Sequence, residues 1–260
     1  MIIDSHLHIG KIGKFDMPET VLIEAMEKYN IDFGLVSNIE CCEFDSELNE
    51  LPVNERYSQI QVNRRLLEFL KKNPKKVKGQ FWIKPYSECW SEDVEQFMEE
   101  NAEYFVGFKM HPFHSQIAPT DDRCRGYFEY ANRKGLSIAI HTANDKHSDP
   151  REVLKVATQY PNAKFIMVHL GLGTSNGLAL SLLDQAENLY GDTTWVDINR
   201  IHETLMDKNH KLMFGTDSPI DGVDTYKAYA PYFEALQTCG EASYRRLMAL
   251  NAQEVFNLQL

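Results

Sequence analysis

Two histidines near the start of the chain have the spacing of a metal-ligand pair. His6 and His8 follow the apolar residues Ile2 and Ile3, which predict a short β-strand. Side chains two residues apart on a strand share a face, so both imidazoles project together at the end of the strand. Imidazole nitrogens are preferred ligands of zinc and related ions. The pair alone also fits a polar loop, so its interpretation depends on whether later strands supply further ligands.

Further polar side chains stand at the ends of later predicted strands. They are Lys109 and His111 after the fourth strand, His141 after the fifth, His169 after the sixth and Asp217 after the eighth. In β/α barrels the catalytic groups gather at the carboxyl ends of the strands. Imidazoles with one carboxylate suit zinc first, with manganese, iron or cobalt as alternatives. A divalent ion lowers the pKa of bound water from about 15.7 to about 7 and so provides hydroxide at neutral pH.

Two of these residues have the chemistry of catalytic groups. Asp217 could bind the ion or the water through one oxygen and accept a proton with the other, and His169 could orient the water. Each residue also has a structural interpretation. A single His141 or His169 is often a buried histidine bonded to backbone, and Asp217 lies in a Gly-Thr-Asp-Ser-Pro segment typical of a turn. The functional interpretation depends on all of them meeting at one end of a barrel.

The elements that must position these residues alternate along the chain. After the first strand, strands are predicted at 33–37, 77–83, 104–110, 136–140, 165–168, 195–198 and 211–214, with a helix over 175–190 before the seventh. Alternation with short connections implies parallel strands, and 260 residues fit a single-domain eight-stranded parallel β/α (TIM) barrel over residues 1–260. An open doubly wound sheet is the alternative fold. The polar segment 38–54 predicts either a functional lid or a flexible insertion.

Composition restricts the partners of this chain. The 27 lysines and arginines against 38 aspartates and glutamates give a net charge of −11, which argues against nucleic acid and anionic membranes as partners. A small anionic substrate stays compatible, because a pocket can be locally positive. No apolar run reaches the length of a membrane span. The five cysteines show no CxxC spacing and no leader precedes the first strand, so we expect a cytoplasmic protein.

The polar segments resemble those of a known family. The segments are 4–8 (DSHLH), 107–112 (GFKMHP), 140–142 (IHT), 168–171 (VHLG), 215–219 (GTDSP) and 251–258 (NAQEVFNL). Together they resemble the amidohydrolase superfamily, and the last is similar to the C-terminal helix of its amidohydrolase-related branch. That branch contains metal-dependent hydrolases and decarboxylases similar to aminocarboxymuconate-semialdehyde decarboxylase. The resemblance covers essentially the whole chain and implies a barrel with a divalent metal ion.

The resemblance also implies roles for individual residues. The metal ligands would be His6, His8, His141 and Asp217, with His169 as a catalytic residue. Lys109 stands where two-metal members carry a carboxylated bridging lysine, and in that variant His141 and His169 share the second ion. The branch usually works with one metal, so we expect one ion, zinc first. Homodimers are common in the family, and a homodimer is expected here.

The reaction is predicted to be hydrolysis of a small molecule. Some decarboxylases of the superfamily replace the first histidine of the pair by glutamate, so His6 favours a hydrolase. Lys84 and Arg200, with Lys109, could clamp a substrate carboxylate, and Trp82 and His111 could line the pocket. We therefore expect a carboxylated ester, lactone or amide as substrate. The alternative is a metal-dependent decarboxylase of a small unsaturated or aromatic carboxylic acid.

A glycine-rich turn supports a second alternative, dinucleotide binding. Gly171, Gly173 and Gly177 follow a predicted strand and precede a helix, and Asp197 would end the next strand. This arrangement echoes a dinucleotide-binding fingerprint. The spacing of the last glycine departs from that fingerprint, and a tight turn at the rim of the cavity explains the glycines equally well. A non-catalytic barrel that keeps its ligands is a third alternative.

Overall fold

The central element is a sheet of parallel strands. The computed structural model describes residues 1–208 and 210–260, and in them eight strands run parallel while β2 is a short antiparallel addition. The strands are β1 (Ile3–Ile12), β2 (Phe15–Met17), β3 (Phe33–Asn38), β4 (Val77–Trp82), β5 (Phe105–Met110), β6 (Ser137–Ala143), β7 (Lys164–Leu172), β8 (Leu189–Asp192) and β9 (Leu212–Met213).

Backbone hydrogen bonds close this sheet into a barrel. The strand order is β2-β1-β3-β4-β5-β6-β7-β8-β9, so each parallel strand pairs with the next parallel strand along the chain. The segment after β9 then returns to β1. Ser5 N–H donates to Phe214 O at 2.9 Å, and Asp217 N–H donates to His6 O at 2.9 Å. The predicted β/α barrel is confirmed, and its closure brings Asp217 next to the histidine pair.

Helices cover the outside of the barrel. They are α1 (Glu19–Lys28), α2 (Gln59–Lys72), α3 (Glu92–Glu100), α4 (Pro112–Ser115), α5 (Arg125–Lys134), α6 (Pro150–Gln159), α7 (Gly177–Leu182), α8 (Ile198–Lys208), α9 (Ala230–Leu236), α10 (Glu241–Arg245) and α11 (Asn251–Val255). On α2, Val62, Leu66 and Leu70 recur at helical spacing and are fully buried. The Ser58 hydroxyl accepts the Gln61 N–H and caps this helix. No helix in the described part of the chain has the length and apolar character to cross a membrane.

Strand β1 continues beyond the barrel as one arm of a hairpin with β2. Gly10 pairs with Met17, and Ile12 pairs with Phe15. The turn contains Gly13, whose φ of 52° lies in the left-handed region that glycine adopts without strain. Ile12, Phe15 and Met17 line the cavity that His6 and His8 also line. This hairpin was not predicted from the sequence, and it forms an apolar wall next to the histidine pair.

The predicted position of the seventh parallel strand, 195–198, is wrong. That strand is β8, which ends at Asp192. The helix predicted over 175–190 is also shorter, because α7 ends at Leu182. Trp195 has a φ of 62°, in the left-handed region that an extended strand excludes. Trp195 therefore lies in the loop from β8 into α8, and Asp192 is the carboxylate at the end of the strand.

The long connection after β3 is hydrogen-bonded to the segments that follow β4 and β5. The Glu43 carboxylate accepts hydrogen bonds from the backbone N–H groups of Tyr86 and Ser87, at 3.1 and 2.7 Å. The backbone N–H of Phe44 donates to His114 O at 2.9 Å, and His114 Nδ1 lies 2.8 Å from Phe44 O. The connection is therefore a packed part of the cavity rim, which argues against the flexible insertion, and the functional lid stays a prediction.

Candidate metal centre and cavity

Five strand ends of the barrel converge on one group of polar side chains. His6 and His8 lie on β1, Lys109 on β5, His141 on β6, His169 on β7 and Asp217 in the segment after β9. All of them except Lys109 line the same cavity. The convergence follows from the parallel barrel, because the carboxyl ends of all its strands open at one face.

Three side-chain atoms form a compact set, here called the ligand group. His6 Nε2 lies 2.9 Å from His8 Nε2. Asp217 Oδ1 lies 3.3 Å from His6 Nε2 and 3.0 Å from His8 Nε2. Two imidazole nitrogens and one carboxylate oxygen are a typical donor set for a divalent transition-metal ion. The sequence predicted these three residues as ligands, and the structure brings them together.

The opposite ring nitrogens of both histidines have partners of their own. His6 Nδ1 lies 3.1 Å from Asp192 Oδ2 and 3.2 Å from Thr194 Oγ1. His8 Nδ1 lies 3.0 Å from Ser37 Oγ. Protons held on both Nδ1 atoms by these acceptors leave the two Nε2 lone pairs directed into the ligand group. In this tautomer both Nε2 atoms, 2.9 Å apart, direct lone pairs to the same place, so the residues present fit a metal ion.

Asp192 is a candidate functional residue that was not predicted from the sequence. It is buried at the end of β8. Its Oδ1 accepts the backbone N–H groups of His169 and Thr194, at 3.0 and 3.1 Å. Burial favours the neutral acid, but the His6 and His169 rings and the donated hydrogen bonds lower the pKa of Asp192 to about 2. The ionised carboxylate therefore orients His6 through its ring and His169 through its backbone.

Lys109 reaches the ligand group from β5. Its side chain is fully buried, and Nζ lies 2.8 Å from His6 Nε2. Burial lowers the pKa of Lys109 to about 8. A lysine with a lowered pKa carries a larger neutral fraction at pH 7 than an exposed one. The position is compatible with the bridge between two ions that the resemblance implies.

His141 belongs to a column of aromatic rings beside the ligand group. Its ring stacks on His111 with centroids 3.8 Å apart and planes 15° apart. Trp82 in turn lies nearly parallel to His111, at 5.9 Å and 10°. His141 Nδ1 is buried and has no hydrogen-bond partner among the described residues. His141 lines the same cavity but is not part of the compact ligand group.

His169 lies at the end of β7, between the ligand group and the column of aromatic rings. Its ring centroid is 5.1 Å from that of His6 and 4.8 Å from that of His141. Nδ1 lies 3.3 Å from Thr194 O, and burial lowers the pKa of His169. A neutral ring whose Nδ1–H is held by this carbonyl presents an unprotonated Nε2. His169 also forms a second candidate metal cluster with His6 and Asp192.

Trp195 holds the second oxygen of Asp217. Its indole Nε1–H donates to Asp217 Oδ2 at 3.0 Å, while Oδ1 faces the ligand group. Both residues have left-handed backbone angles, with φ of 62° and 67°, and His169 has 65°. Left-handed residues other than glycine are uncommon and concentrate at functional sites. Trp195 was not predicted as a site residue, because the pattern of residues 195–198 predicted a strand.

The ligand group opens onto a cavity of about 510 Å³. Much of its lining is apolar, and the hairpin, α4, the end of β7 and the segment after β9 contribute Ile12, Phe15, Met17, Phe113, Leu172 and Ile220. Asn144 and Asp145 line it from the loop after β6. A cavity of this size and character suits a small organic molecule.

Two of the residues predicted to bind substrate lie in the cavity wall, and a third does not. Trp82 and His111 line the cavity. Lys84 is buried outside it, where Nζ donates to Tyr57 O at 2.6 Å and lies 3.7 Å from Glu88 Oε1. The buried ammonium group therefore stabilises neighbouring loops instead of facing the cavity.

The fourth predicted substrate-binding residue, Arg200, lies away from the cavity lining. It belongs to α8, its side chain is 44% exposed, and Nη1 lies 3.3 Å from Glu203 Oε2. The expected clamp of Lys84, Lys109 and Arg200 is therefore not formed. The shift of the seventh strand explains this position, because Arg200 is the third residue of α8 and does not follow the end of a strand.

The glycine-rich turn after β7 lacks the context of a dinucleotide site. Gly171 and Gly173 have φ of 84° and 78°, as a tight turn requires. The dinucleotide alternative needs Asp197 at the end of the following strand. Asp197 instead precedes α8, where its Oδ1 accepts the Asn199 N–H at 2.9 Å. The turn is thus explained by its place at the cavity rim.

Comparison with known families agrees with this geometry. A family model described as amidohydrolase matches residues 53–258. The chain belongs to the amidohydrolase family. No curated protein matches the sequence of this amidohydrolase. Family membership implies an enzyme that uses a divalent metal ion, and the paired Nε2 lone pairs beside Asp217 fit that ion.

Solved structures with the same fold belong to enzymes named for different reactions. A probable 2-pyrone-4,6-dicarboxylic acid hydrolase from Acinetobacter baumannii, with citric acid bound, is 14% identical, with a TM-score of 0.65 and 99% of both chains covered. A dihydroxybenzoic acid decarboxylase from a Polaromonas species, with bound manganese, is 16% identical, with a TM-score of 0.69 and coverage of 100% of this amidohydrolase and 97% of that chain. A 4-oxalomesaconate hydratase from Rhodopseudomonas palustris is 14% identical, with a TM-score of 0.65 and coverage of 99% and 96%. At these identities the likeness establishes the barrel and not the reaction.

Proposed function

We propose that this amidohydrolase is a metal-dependent hydrolase that directs an activated water at a small ester, lactone or amide. The observation that carries the proposal is the placement of Asp217. One carboxylate oxygen lies within 3.3 Å of both histidine Nε2 atoms, and Trp195 fixes the other. A bound divalent ion lowers the pKa of water to about 7. Asp217 supplies a base at the same place.

The ion would be held by His6, His8 and Asp217, with His141 as the fourth ligand. The imidazole-rich donor set favours zinc. Manganese is the first alternative, because the Polaromonas decarboxylase binds it. We propose one ion. A second ion would require Lys109 as a carboxylated bridge, and a metal content near two per chain is the outcome that would establish it.

Asp217 is proposed as the proton acceptor. Burial favours its neutral form, but the His6, His8 and His169 rings keep the pKa of Asp217 well below its usual value. The ionised carboxylate would take a proton from the water as the water oxygen attacks the carbonyl carbon. The same proton then passes to the departing alcohol or amine. The hydrogen bond from Trp195 keeps the carboxylate from rotating during both transfers.

His169 is proposed to act on the carbonyl side of the reaction. Its neutral ring lies 5.1 Å from the His6 ring, centroid to centroid, and lines the cavity. The held Nδ1 fixes the orientation of the ring, so that Nε2 can orient the water or stabilise the charge that develops at the carbonyl oxygen.

Decarboxylation of a small unsaturated or aromatic acid is the second candidate function. The parallel rings of Trp82, His111 and His141 favour it, because a planar substrate stacks on such a column. The two reactions give different products. Hydrolysis transfers the oxygen of isotopically labelled water into a carboxylic acid, whereas decarboxylation releases carbon dioxide.

The test uses zinc-loaded and manganese-loaded protein with phenyl acetate, γ-butyrolactone, acetanilide and 2,6-dihydroxybenzoate. The proposal expects label in the acid product of at least one of the first three, lost in Asp217→Asn. Carbon dioxide from dihydroxybenzoate without hydrolysis of the others would establish the decarboxylase and overturn the hydrolase.

A further inference from the structure

We propose that the substrate carries no ionised group apart from the one that reacts at the metal. A neutral, largely apolar body would fill the cavity beside the reacting bond. This inference deepens the proposed hydrolase function and rests on it. It reverses the carboxylated substrate expected from the sequence, and it follows from which side chains line the cavity.

The lining has no cationic side chain to receive a carboxylate. Among the described residues that line the cavity there is no lysine and no arginine. The two lysines expected to clamp a carboxylate have other partners, since Lys84 donates to Tyr57 O at 2.6 Å and Lys109 Nζ lies 2.8 Å from His6 Nε2. A carboxylate placed against this wall would lose its hydration without gaining a charged partner.

The imidazole closest to the rim does not replace the missing cation. His114 lines the cavity, and its Nδ1 lies 2.8 Å from Phe44 O, which accepts its proton. Burial lowers the pKa of His114 from its ordinary value. The ring is therefore neutral at pH 7 and offers a substrate at most an uncharged hydrogen-bonding group.

A fixed negative charge stands at the same rim. Asp145 lines the cavity, and its Oδ1 accepts the backbone N–H groups of His147 and Ser148, at 2.9 and 3.1 Å. These bonds orient the carboxylate without neutralising it. No lysine or arginine within residues 1–208 and 210–260 forms a direct ion pair with Asp145. A second anion in the cavity would be repelled by it.

The remaining wall is suited to an uncharged body. Ile12 and Phe15 come from the hairpin, Phe113 from α4, Leu172 from the end of β7 and Ile220 from the loop after β9. Apolar atoms on several sides bind an apolar substrate through the hydrophobic effect and favour it over a charged molecule of similar size.

The test compares two ligands that share one metal-binding group. 4-Methylbenzohydroxamic acid and 4-carboxybenzohydroxamic acid both present a hydroxamate to the ion and differ only at the far end of the ring. Their dissociation constants are measured on zinc-loaded protein by calorimetry. We expect the methyl compound to bind at least about tenfold more tightly. Equal affinity, or tighter binding of the carboxy compound, would overturn the inference.

A matched pair of variants separates charge from shape. Leu172 lines the cavity and is 38% exposed, so the fold can accept Leu172→Lys and Leu172→Gln. The lysine variant should reduce the preference for the methyl compound by about threefold or more, through a surface-exposed ion pair. The glutamine variant should leave the preference unchanged. The same response in both variants would contradict the role of charge.

These measurements need no turnover. A protein that hydrolyses no ester, lactone or amide but keeps the expected preference would disprove the hydrolase while supporting the neutral cavity. A protein that hydrolyses neutral and carboxylated esters equally well would support the hydrolase and contradict the preference for a neutral substrate.

Discussion

Replacing Asp192 by asparagine tests whether this buried carboxylate tunes the metal ligand His6. The substitution is conservative, because the side-chain oxygen of asparagine can still accept the backbone N–H groups of His169 and Thr194, which lie 3.0 and 3.1 Å from Oδ1. What changes is Oδ2, the atom 3.1 Å from His6 Nδ1. An amide nitrogen there cannot accept the ring proton, and the negative charge is lost.

The magnitude follows from the burial and the charge of this contact. Asp192 and His6 are both about 1% exposed, so water does not screen the pair. The upper limit for this contact is the contribution of a hydrogen bond to a charged group, about 1.5–3 kcal/mol. Loss of this contribution corresponds to about 10- to 100-fold weaker metal binding, the range found for groups that orient metal ligands.

The assay is zinc affinity of the metal-free protein, measured by competition with a chromogenic chelator. Thr194→Val is the matched control, because Thr194 Oγ1 lies 3.2 Å from the same His6 nitrogen but carries no charge. We expect Asp192→Asn to bind zinc about 10- to 100-fold more weakly and Thr194→Val to change affinity by less than about threefold. Circular dichroism of both variants checks the fold.

Two results would refute this reasoning. Unchanged affinity in Asp192→Asn would show that the carboxylate does not support His6. A larger loss in Thr194→Val than in Asp192→Asn would assign the ring proton to the threonine hydroxyl. The structure leaves room for this competition, since the Asp192 contact has the distance of an ion pair without the alignment of a hydrogen bond.

Three further substitutions test other parts of the account. Trp195→Phe keeps an aromatic side chain but removes the N–H that donates to Asp217. We expect kcat to fall about tenfold with KM and metal content unchanged. A normal kcat would contradict the positioning role of Trp195. Asp217→Asn should lower kcat by at least about 100-fold while His6 and His8 retain part of the metal, as steady-state kinetics and elemental analysis can show. Gly107→Ala should lower the free energy of unfolding by about 3 kcal/mol in urea titrations, because a Cβ there would meet the Ser137 carbonyl oxygen at 2.1 Å; an unchanged midpoint would contradict this.

The barrel and the histidine pair were predictable because local patterns determine them. Spacing two residues apart on β1 places His6 and His8 on one face, and strand–helix alternation implies a parallel sheet. The closure of the barrel then places Asp217 opposite them. A polar residue at a strand end is a signal that a single sequence carries by itself.

The rest of the site depends on contacts distant in sequence. Strand β8 is only four residues long, and a Cβ at its Gly191 would lie 2.4 Å from the Leu170 side chain, which would have to shift. Such a short strand has little apolar periodicity. The Trp-Val-Asp-Ile segment at 195–198 has a stronger apolar pattern, and the seventh strand was therefore predicted there. Because of this error, Asp192 and Trp195 were not predicted as site residues. A strand-end aspartate after glycine was the signal available for Asp192.

The direction of long cationic side chains was also beyond the sequence. Lys84 follows β4 directly, as a cavity residue would, yet its ammonium group is buried against Tyr57 O. Lysine has four rotatable bonds, so its backbone position leaves its charged end undetermined. The expected carboxylate clamp failed for this reason.

The metal content of the purified protein tests the central claim most directly. Elemental analysis of protein prepared without chelators, alongside His8→Ala and the control His114→Ala, measures ions per chain. We expect about one zinc or manganese per chain in the wild type and in His114→Ala, and almost none in His8→Ala. No bound metal in the wild type after reconstitution, or full metal content in His8→Ala, would contradict the assignment of the ligand group.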